Sequence, residues 1–381
     1  MCFNKKNINL KTFKQLGVKD QFIKALTEIN IDVPTEIQER AIPFLIEFGT
    51  DFIGQAQTGT GKTAAFGLPL LQRMDTNDSR IQALILSPTR ELGQQIAKQL
   101  FKLTKYSDKI FIEAVYGGDK IENQIRALSR PTHIVVATPG RLIDLLERKA
   151  IDLSQVETIV LDEADEMLSM GFKEELDAIL KHTIGSRNTW LFSATLPDNL
   201  KEIIGKYMSE EAFKVEVNKR HVVNRMIEHQ YVTCDPRHKF DTLVQFLNVQ
   251  GGDSGIIFCR TKINTQNLVK QLLSKNFVAD AIHGDLQQRE REKAMRAFKN
   301  HKIQLLVTTD VSARGIDVDN LCFVVHYELP EKMEYYTHRS GRTARAGKKG
   351  VSLSIIDPKE VRKIRQLEQG LNITFKRITG K

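Results

Sequence analysis

A chain of 381 residues can form two domains of ordinary size, and 41% hydrophobic with 27% charged residues excludes large-scale disorder. Lys plus Arg outnumber Asp plus Glu by 56 to 47, giving a pI near 9.2, which suits a polyanionic partner and equally a protein that is merely basic. Cys2, Cys234, Cys259 and Cys322 form no C-x-x-C pair, so a zinc site or disulfide framework is disfavoured and a reducing compartment fits; no apolar run approaches the ~20 residues of a membrane span, and residues 1–6 lack a signal-peptide core.

Short apolar, β-branched runs alternate with longer amphipathic segments. Strands are predicted over 51–54, 83–87, 134–137, 158–161, 190–193 and 214–217. A second series is predicted over 229–233, 255–258, 278–282, 304–307, 323–326 and 351–355. Near-continuous apolar strands alternating with helices predict an α/β chain, its parallel sheets covered by helices on both faces. Two series predict two domains of one architecture, 1–217 and 225–381, joined by a polar, basic linker over 218–224. Residues 361–369 read as a last, basic helix and 372–381 as a short basic tail.

Most polar clusters follow a strand directly, where ligands of open parallel sheets bind. The first is Ala56-Gln57-Thr58-Gly59-Thr60-Gly61-Lys62-Thr63. Gly59 and Gly61 permit a tight turn that aims N–H groups at phosphate oxygens. Lys62 can reach the β- and γ-phosphates, and Thr63 offers a hydroxyl to Mg²⁺ at the start of a helix predicted over 64–74. After the strand at 158–161 come Asp162 and Glu163, placed to hold Mg²⁺ and to activate water. Taken alone, that pair could be ordinary N-terminal acids of a helix over 164–169. Further on, Arg339, Arg342 and Arg345 recur at a spacing of three. On one helical face they would point the same way and repel unless an anion such as a γ-phosphate neutralised them.

In its order of motifs the chain resembles the DEAD-box ATP-dependent RNA helicases, from Phe13 to about Asp357. The resemblance rests on Pro34-Thr35-Glu36-Ile37-Gln38, the Ala56–Thr63 loop, Pro88-Thr89-Arg90-Glu91-Leu92, Gly117-Gly118 and Thr138-Pro139-Gly140-Arg141. It continues through Asp162-Glu163-Ala164-Asp165, Ser193-Ala194-Thr195, Ile257-Phe258-Cys259, Gln288 with Arg291, the run from Thr308 to Asp317, and the run from His338 to Arg345.

The resemblance implies two tandem RecA-like domains, each a mostly parallel sheet with helices on both faces, with ATP and Mg²⁺ in the cleft between them. It implies RNA-stimulated ATP hydrolysis, coupled to domain closure and to local unwinding of short duplexes. Lys62, Asp162, Glu163, Arg342 and Arg345 would be catalytic. Phe13, Gln38, Thr58, Gly59, Thr60, Gly61, Lys62, Thr63 and Asp317 would hold the nucleotide, with Thr63 and Asp162 on the metal. Asp165, Ser193, Thr195 and His338 would couple ATP state to unwinding, His338 by pairing with the acidic motif. RNA would be gripped by Arg90, Gly118, Thr138, Gly140 and Arg141 in the first domain. In the second, Arg260, Gln288, Arg291 and Thr308 would do so. These are hydroxyls, glycines and arginines with few aromatics between them, which suits sugar-phosphate recognition with little sequence preference. A cytoplasmic monomer is expected. The chain departs from the family at Ile31 and Asn30, where an aromatic and a glycine are usual, and at Ser340 and Ala344, where Ile and Gly are common. Many members carry longer tails, so the short basic tail reads as cut short.

Overall fold

The computed structural model describes residues 11–57, 59–183, 187–217, 226–313, 321–344 and 349–378. The chain forms two compact units, Met1–Asn218 and Lys219–Lys381, and the linker expected over 218–224 lies outside the described residues.

Unit 1 is built on seven parallel strands: β1 (Phe52–Gln55), β2 (Ala83–Leu86), β3 (Ile112–Val115), β4 (Ile134–Ala137), β5 (Thr158–Asp162), β6 (Asn188–Ser193) and β7 (Phe213–Glu216). Their order is β3-β4-β2-β5-β6-β1-β7. Alternate residues of one strand enter opposite cores, because successive side chains of a strand point to opposite faces. Ala83 and Ile85 pack with Phe66, Ile96 and Leu100, whereas Leu84 and Leu86 pack with Leu142, Leu145 and Met167. Both faces of the sheet are therefore dry and helix-covered, which is why the strands read as unbroken apolar runs. Helices Lys62–Arg73, Arg90–Leu103, Pro139–Glu147 and Ala164–Ser169 open just past the carboxyl ends of β1, β2, β4 and β5.

Unit 2 has β8 (Ile227–Thr233), β9 (Gly255–Phe258), β10 (Ala279–Ile282), β11 (Leu305–Thr308), β12 (Phe323–His326), β13 (Gly350–Ile356) and β14 (Phe375–Arg377), all paired in parallel. The order is β10-β11-β9-β12-β13-β8-β14. Numbered within its own unit, each sheet runs 3-4-2-5-6-1-7, so corresponding strand ends of the two units can be compared directly.

Two strands lie outside the sequence expectations. β3 carries Glu113 in a four-residue run too short and too mixed to stand out. β14 lies where a basic tail was expected. Phe375 is buried against Tyr336 and His229, while Lys376 and Arg377 stay exposed on the sheet edge, a composition that discourages further pairing. Among the described residues no helix is long and apolar enough to cross a membrane.

Candidate active site and nucleic-acid interface

The loop after β1 is set by its glycines. Gly59 and Gly61 have φ of 82° and 87°, values that L side chains rarely adopt. Gly61 caps the helix Lys62–Arg73, and a Cβ there would collide with the Gln38 amide. Gln38 is 2% exposed. Its Nε2 donates to the Gly61 carbonyl at 3.0 Å, and its Oε1 accepts from Thr35 N–H at 2.9 Å. The residue expected to read adenine therefore also fastens the phosphate loop to the helix Glu36–Glu47. Thr60 Oγ1 donates to the Gln57 carbonyl at 2.7 Å, and Thr63 is half-buried at the helix start.

Lys62 is 6% exposed, and among the described residues its Nζ has no hydrogen-bond partner. Burying an ammonium without an acceptor is costly, so the site suits an anion. Asp162 closes β5 at 3% exposure. Burial pushes its carboxyl up to about 7; the Lys62 charge pulls it down, while Glu163 and Asp165 push it further up. Glu163 has φ 51°, a left-handed conformation uncommon for a non-glycine residue, and strain of that kind concentrates at functional sites. Asp165 turns to the next strand end: its Oδ2 accepts from Thr195 N–H at 2.9 Å and from Thr195 Oγ1 at 2.8 Å. Its own N–H donates to Ser193 Oγ at 3.3 Å, and Ser193 Oγ donates to the Thr195 carbonyl at 2.6 Å. Asp165, Ser193 and Thr195 thus form one hydrogen-bonded cluster.

Phe13 is buried at 3% exposure in the apolar core of unit 1, and Ile31 packs against the same cluster. Asn30 has φ 57°, so the position noted for its missing glycine does need a left-handed residue, which Asn supplies at low cost.

The unit 1 residues expected to grip RNA follow three adjacent strands, β3, β4 and β2. Arg90 opens its helix, and Thr89 caps it by accepting from Leu92 N–H at 3.3 Å. The Arg90 guanidinium lies 4.4 Å from the centre of the Tyr116 ring. Tyr116 precedes Gly117 and Gly118, the latter at φ 84°, and its hydroxyl accepts from Gln94 Nε2 at 2.8 Å. Gln124 Nε2 donates to the Tyr116 carbonyl at 3.0 Å, and Gln124 Oε1 accepts from Arg141 Nη1 at 2.8 Å. Arg141 Nη2 also donates to the Asp119 carbonyl at 3.0 Å. Thr138 and Gly140 flank the start of the helix Pro139–Glu147. Tyr116 and Gln124 were missed in the sequence; an aromatic directly before a glycine pair was the available signal.

In unit 2, Arg260 lies in the loop after β9, and Thr308 ends β11. Thr308 is fully buried, its hydroxyl donating to the Ile282 carbonyl at 3.0 Å. Gln288 opens the helix Gln288–Lys299 and donates to Glu292 Oε1 at 3.1 Å; Arg291 Nη2 donates to the Ser312 carbonyl at 2.7 Å.

Arg339 and Arg342 do not share a helical face. The helix Met333–Ser340 stops before Arg342, so the spacing of three has no helix to act on. Arg339 is 1% exposed and is neutralised within the unit by Asp310, with Nε to Oδ1 at 2.6 Å and Nη2 to Oδ2 at 2.7 Å. Ala344 is buried with φ 59°, the conformation in which a glycine would be relaxed. His338 lies in the last turn of that helix. Thr58, Asp317 and Arg345 lie outside the described residues.

A phosphate loop with a buried lysine and an acidic strand end, on one of two parallel sheets of identical strand order, defines a nucleoside-triphosphatase core of tandem RecA-like type. Comparison with known proteins narrows this class. The family model of the DEAD/DEAH box helicases matches residues 35–203, and that of the helicase conserved C-terminal domain matches residues 238–347. The DEAD-box ATP-dependent RNA helicase CshA of Bacillus cereus is 42% identical over 94% of this chain and 68% of its own. ATP-dependent RNA helicase CshA of Listeria monocytogenes is 43% identical over 94% and 68%. Among solved structures, S. cerevisiae Dbp5 bound to RNA and ADP BeF3 matches with a TM-score of 0.88 at 32% identity, covering 97% of this chain and 96% of that one. Mss116p bound to ssRNA and AMP-PNP matches at 0.85 and 30% identity, covering 99% and 81%. The chain belongs to the DEAD/DEAH box helicase family.

Proposed function

We infer that this chain is an ATP-dependent RNA helicase whose ATP hydrolysis is stimulated by RNA. The observation that carries this reading is a buried ammonium, Lys62, with no hydrogen-bond partner among the described residues, together with the buried carboxyl of Asp162. A triphosphate with a divalent cation would satisfy both, giving the lysine its anion and the carboxylate its cation. Thr63 and Asp162 would hold Mg²⁺, which neutralises phosphate charge when bound.

In this reading Glu163 orients and deprotonates the attacking water. Asp165 senses the state of that site and passes it to Ser193 and Thr195 through their shared hydrogen bonds. ATP and RNA together close the two units, and Arg342 and Arg345 then stabilise charge developing on the γ-phosphate. RNA is held by its backbone, and the strand ends support this: the second and fourth strands of unit 1 lead to Arg90 and Thr138, and those of unit 2 to Arg260 and Thr308. The named relatives and the RNA-bound neighbours support the same assignment. Of the described cysteines, Cys234 and Cys259 are free thiols, and we take the chain to act as a monomer in a reducing, cytoplasmic setting.

The test is ATP hydrolysis with and without single-stranded RNA, beside single-stranded DNA. Strong stimulation by RNA alone, falling by roughly 100-fold or more in Glu163→Gln while nucleotide binding persists, is the expected result. Appreciable turnover without RNA, or equal stimulation by DNA, would overturn it.

A further inference from the structure

In unit 1 the fifth strand ends in Asp162 and is followed by Glu163; in unit 2 the corresponding strand, β12, leads to another acid, Glu328. Glu328 is largely buried, its side chain 17% exposed. Its Oε2 accepts from the Arg260 backbone N–H at 2.7 Å. Asn264 Nδ2 donates to Oε1 at 3.0 Å and to Oε2 at 3.1 Å. Arg260 and Asn264 flank Thr261, the cap of the helix Lys262–Ser274, so the carboxylate lies against the positive end of that helix.

The hold is on the backbone of Arg260 rather than on its guanidinium. Arg260 Nε stands 4.0 Å from Oε1, and the side chain remains 41% exposed. The loop is thus fixed while its charged end stays available. The backbone of Glu328 extends the connection: its N–H donates to the Phe258 carbonyl at 3.2 Å, and its carbonyl accepts from Arg339 Nη1 at 2.7 Å. Arg339 in turn grips Asp310, two residues beyond Thr308, and stands three residues before Arg342.

We propose that Glu328 is a positioning residue for RNA binding by unit 2. It fixes the loop that presents Arg260 and ties that loop, through Arg339 and Asp310, to the Thr308 strand end and to the segment leading to Arg342. The proposal rests on the reading of Arg260 as a contact to the RNA backbone. Unit 2 thereby uses, for holding a cation-bearing loop, the strand end that unit 1 devotes to hydrolysis.

The experiment is a double-mutant cycle on the full chain, reading the RNA concentration that half-saturates ATPase stimulation, and kcat at saturating RNA. Glu328→Gln keeps the side-chain shape and removes the charge. It is expected to raise the half-saturating concentration by about tenfold, the scale of residues that act through another, with kcat within about twofold. Arg260→Ala is expected to raise it at least as much, and the double variant no further, because Glu328 acts through Arg260. Asn264→Ala, which loosens the same carboxylate without touching Arg260, should shift the value in the same direction and serves if Glu328→Gln is poorly folded. Penalties that multiply in the double variant, or Glu328→Gln without effect beside a damaging Arg260→Ala, would overturn the positioning role. Arg260→Ala without effect would instead remove the RNA reading of Arg260, and the proposal with it.

Discussion

The phosphate loop depends on residues whose alternatives are sterically excluded. Gly61 must adopt φ 87° while leaving room for the Gln38 amide that fastens its carbonyl. Gly61→Ala adds left-handed strain of about 1–2 kcal/mol and a collision with Gln38. It should lower nucleotide affinity at least tenfold, by titration with a fluorescent ATP analogue, and lower the unfolding midpoint of unit 1. Gly140 is the contrast, since a Cβ there meets nothing within 4 Å and the residue is helical. Gly140→Ala should leave stability unchanged or raise it by up to about 1 kcal/mol. A rise in the half-saturating RNA concentration in that stable variant would show that RNA backbone approaches Gly140 closely; no change would remove Gly140 from the interface. Residues such as Lys62 and Asp162 were legible in the sequence because their chemistry is local, a loop and a strand end. Tyr116, Gln124 and Glu328 were not, because each acquires its partner only when strand order brings distant loops together.

Element ends explain the other differences between sequence and structure. The apolar strands were legible within a residue or two, since a strand buried on both faces has one composition throughout. The helical face expected for the arginines failed already between Arg339 and Arg342, because nothing in a three-residue spacing marks where a helix stops; the helix ends at Ser340, just before Gly341. At the opposite edge of the unit 1 sheet, Asp51 pins three strands by their amino ends. Its Oδ1 accepts from Thr189 N–H and its Oδ2 from Ser209 N–H, both at 2.6 Å, and its carbonyl accepts from Phe213 N–H at 3.0 Å. Asp51→Ala would leave the buried Thr189 N–H unpaired, at about 1–3 kcal/mol, and would release the N–H of the exposed Ser209 to water. Unit 1 should lose roughly 1–3 kcal/mol in urea unfolding, while RNA half-saturation in the folded population stays put, because the candidate sites lie at the carboxyl edge. A loss below about 0.5 kcal/mol would mean that water satisfies the Thr189 N–H as well.

At the scale of the whole chain, each unit has its own core and its own response to acid. In unit 2, His229 and His326 are buried and uncharged. Burial lowers His229 to about 4; His326 is held well below its ordinary range by burial first and then by the charge of Arg339. Tyr336 and Ser352 link the two rings: His229 Nδ1 lies 2.6 Å from the Tyr336 hydroxyl, which lies 3.3 Å from Ser352 Oγ, itself 3.1 Å from His326 Nε2. Below pH ~6.5 the unfolded chain takes up protons at both histidines while the folded unit does not. Stability of unit 2 is therefore full above that pH and declines toward pH 4, by on the order of 3 kcal/mol from His229 alone. Unit 1 runs the other way at Asp162, whose folded carboxyl, raised to about 7, binds a proton that the unfolded one releases until near pH 3.8. Falling pH then stabilises unit 1; His133, lowered mainly by burial and partly restored by Asp78 and Asp75, offsets this by a smaller amount. The chain's single tryptophan, Trp190, is fully buried in unit 1 and separates the two responses. Without nucleotide or divalent cation, its fluorescence should report a urea midpoint that holds or rises between pH 7.5 and 5. The unit 2 transition, followed by far-ultraviolet circular dichroism, should move to lower urea over the same interval. His229→Gln should flatten that movement, and a parallel fall of both transitions would mean that the two units unfold as one.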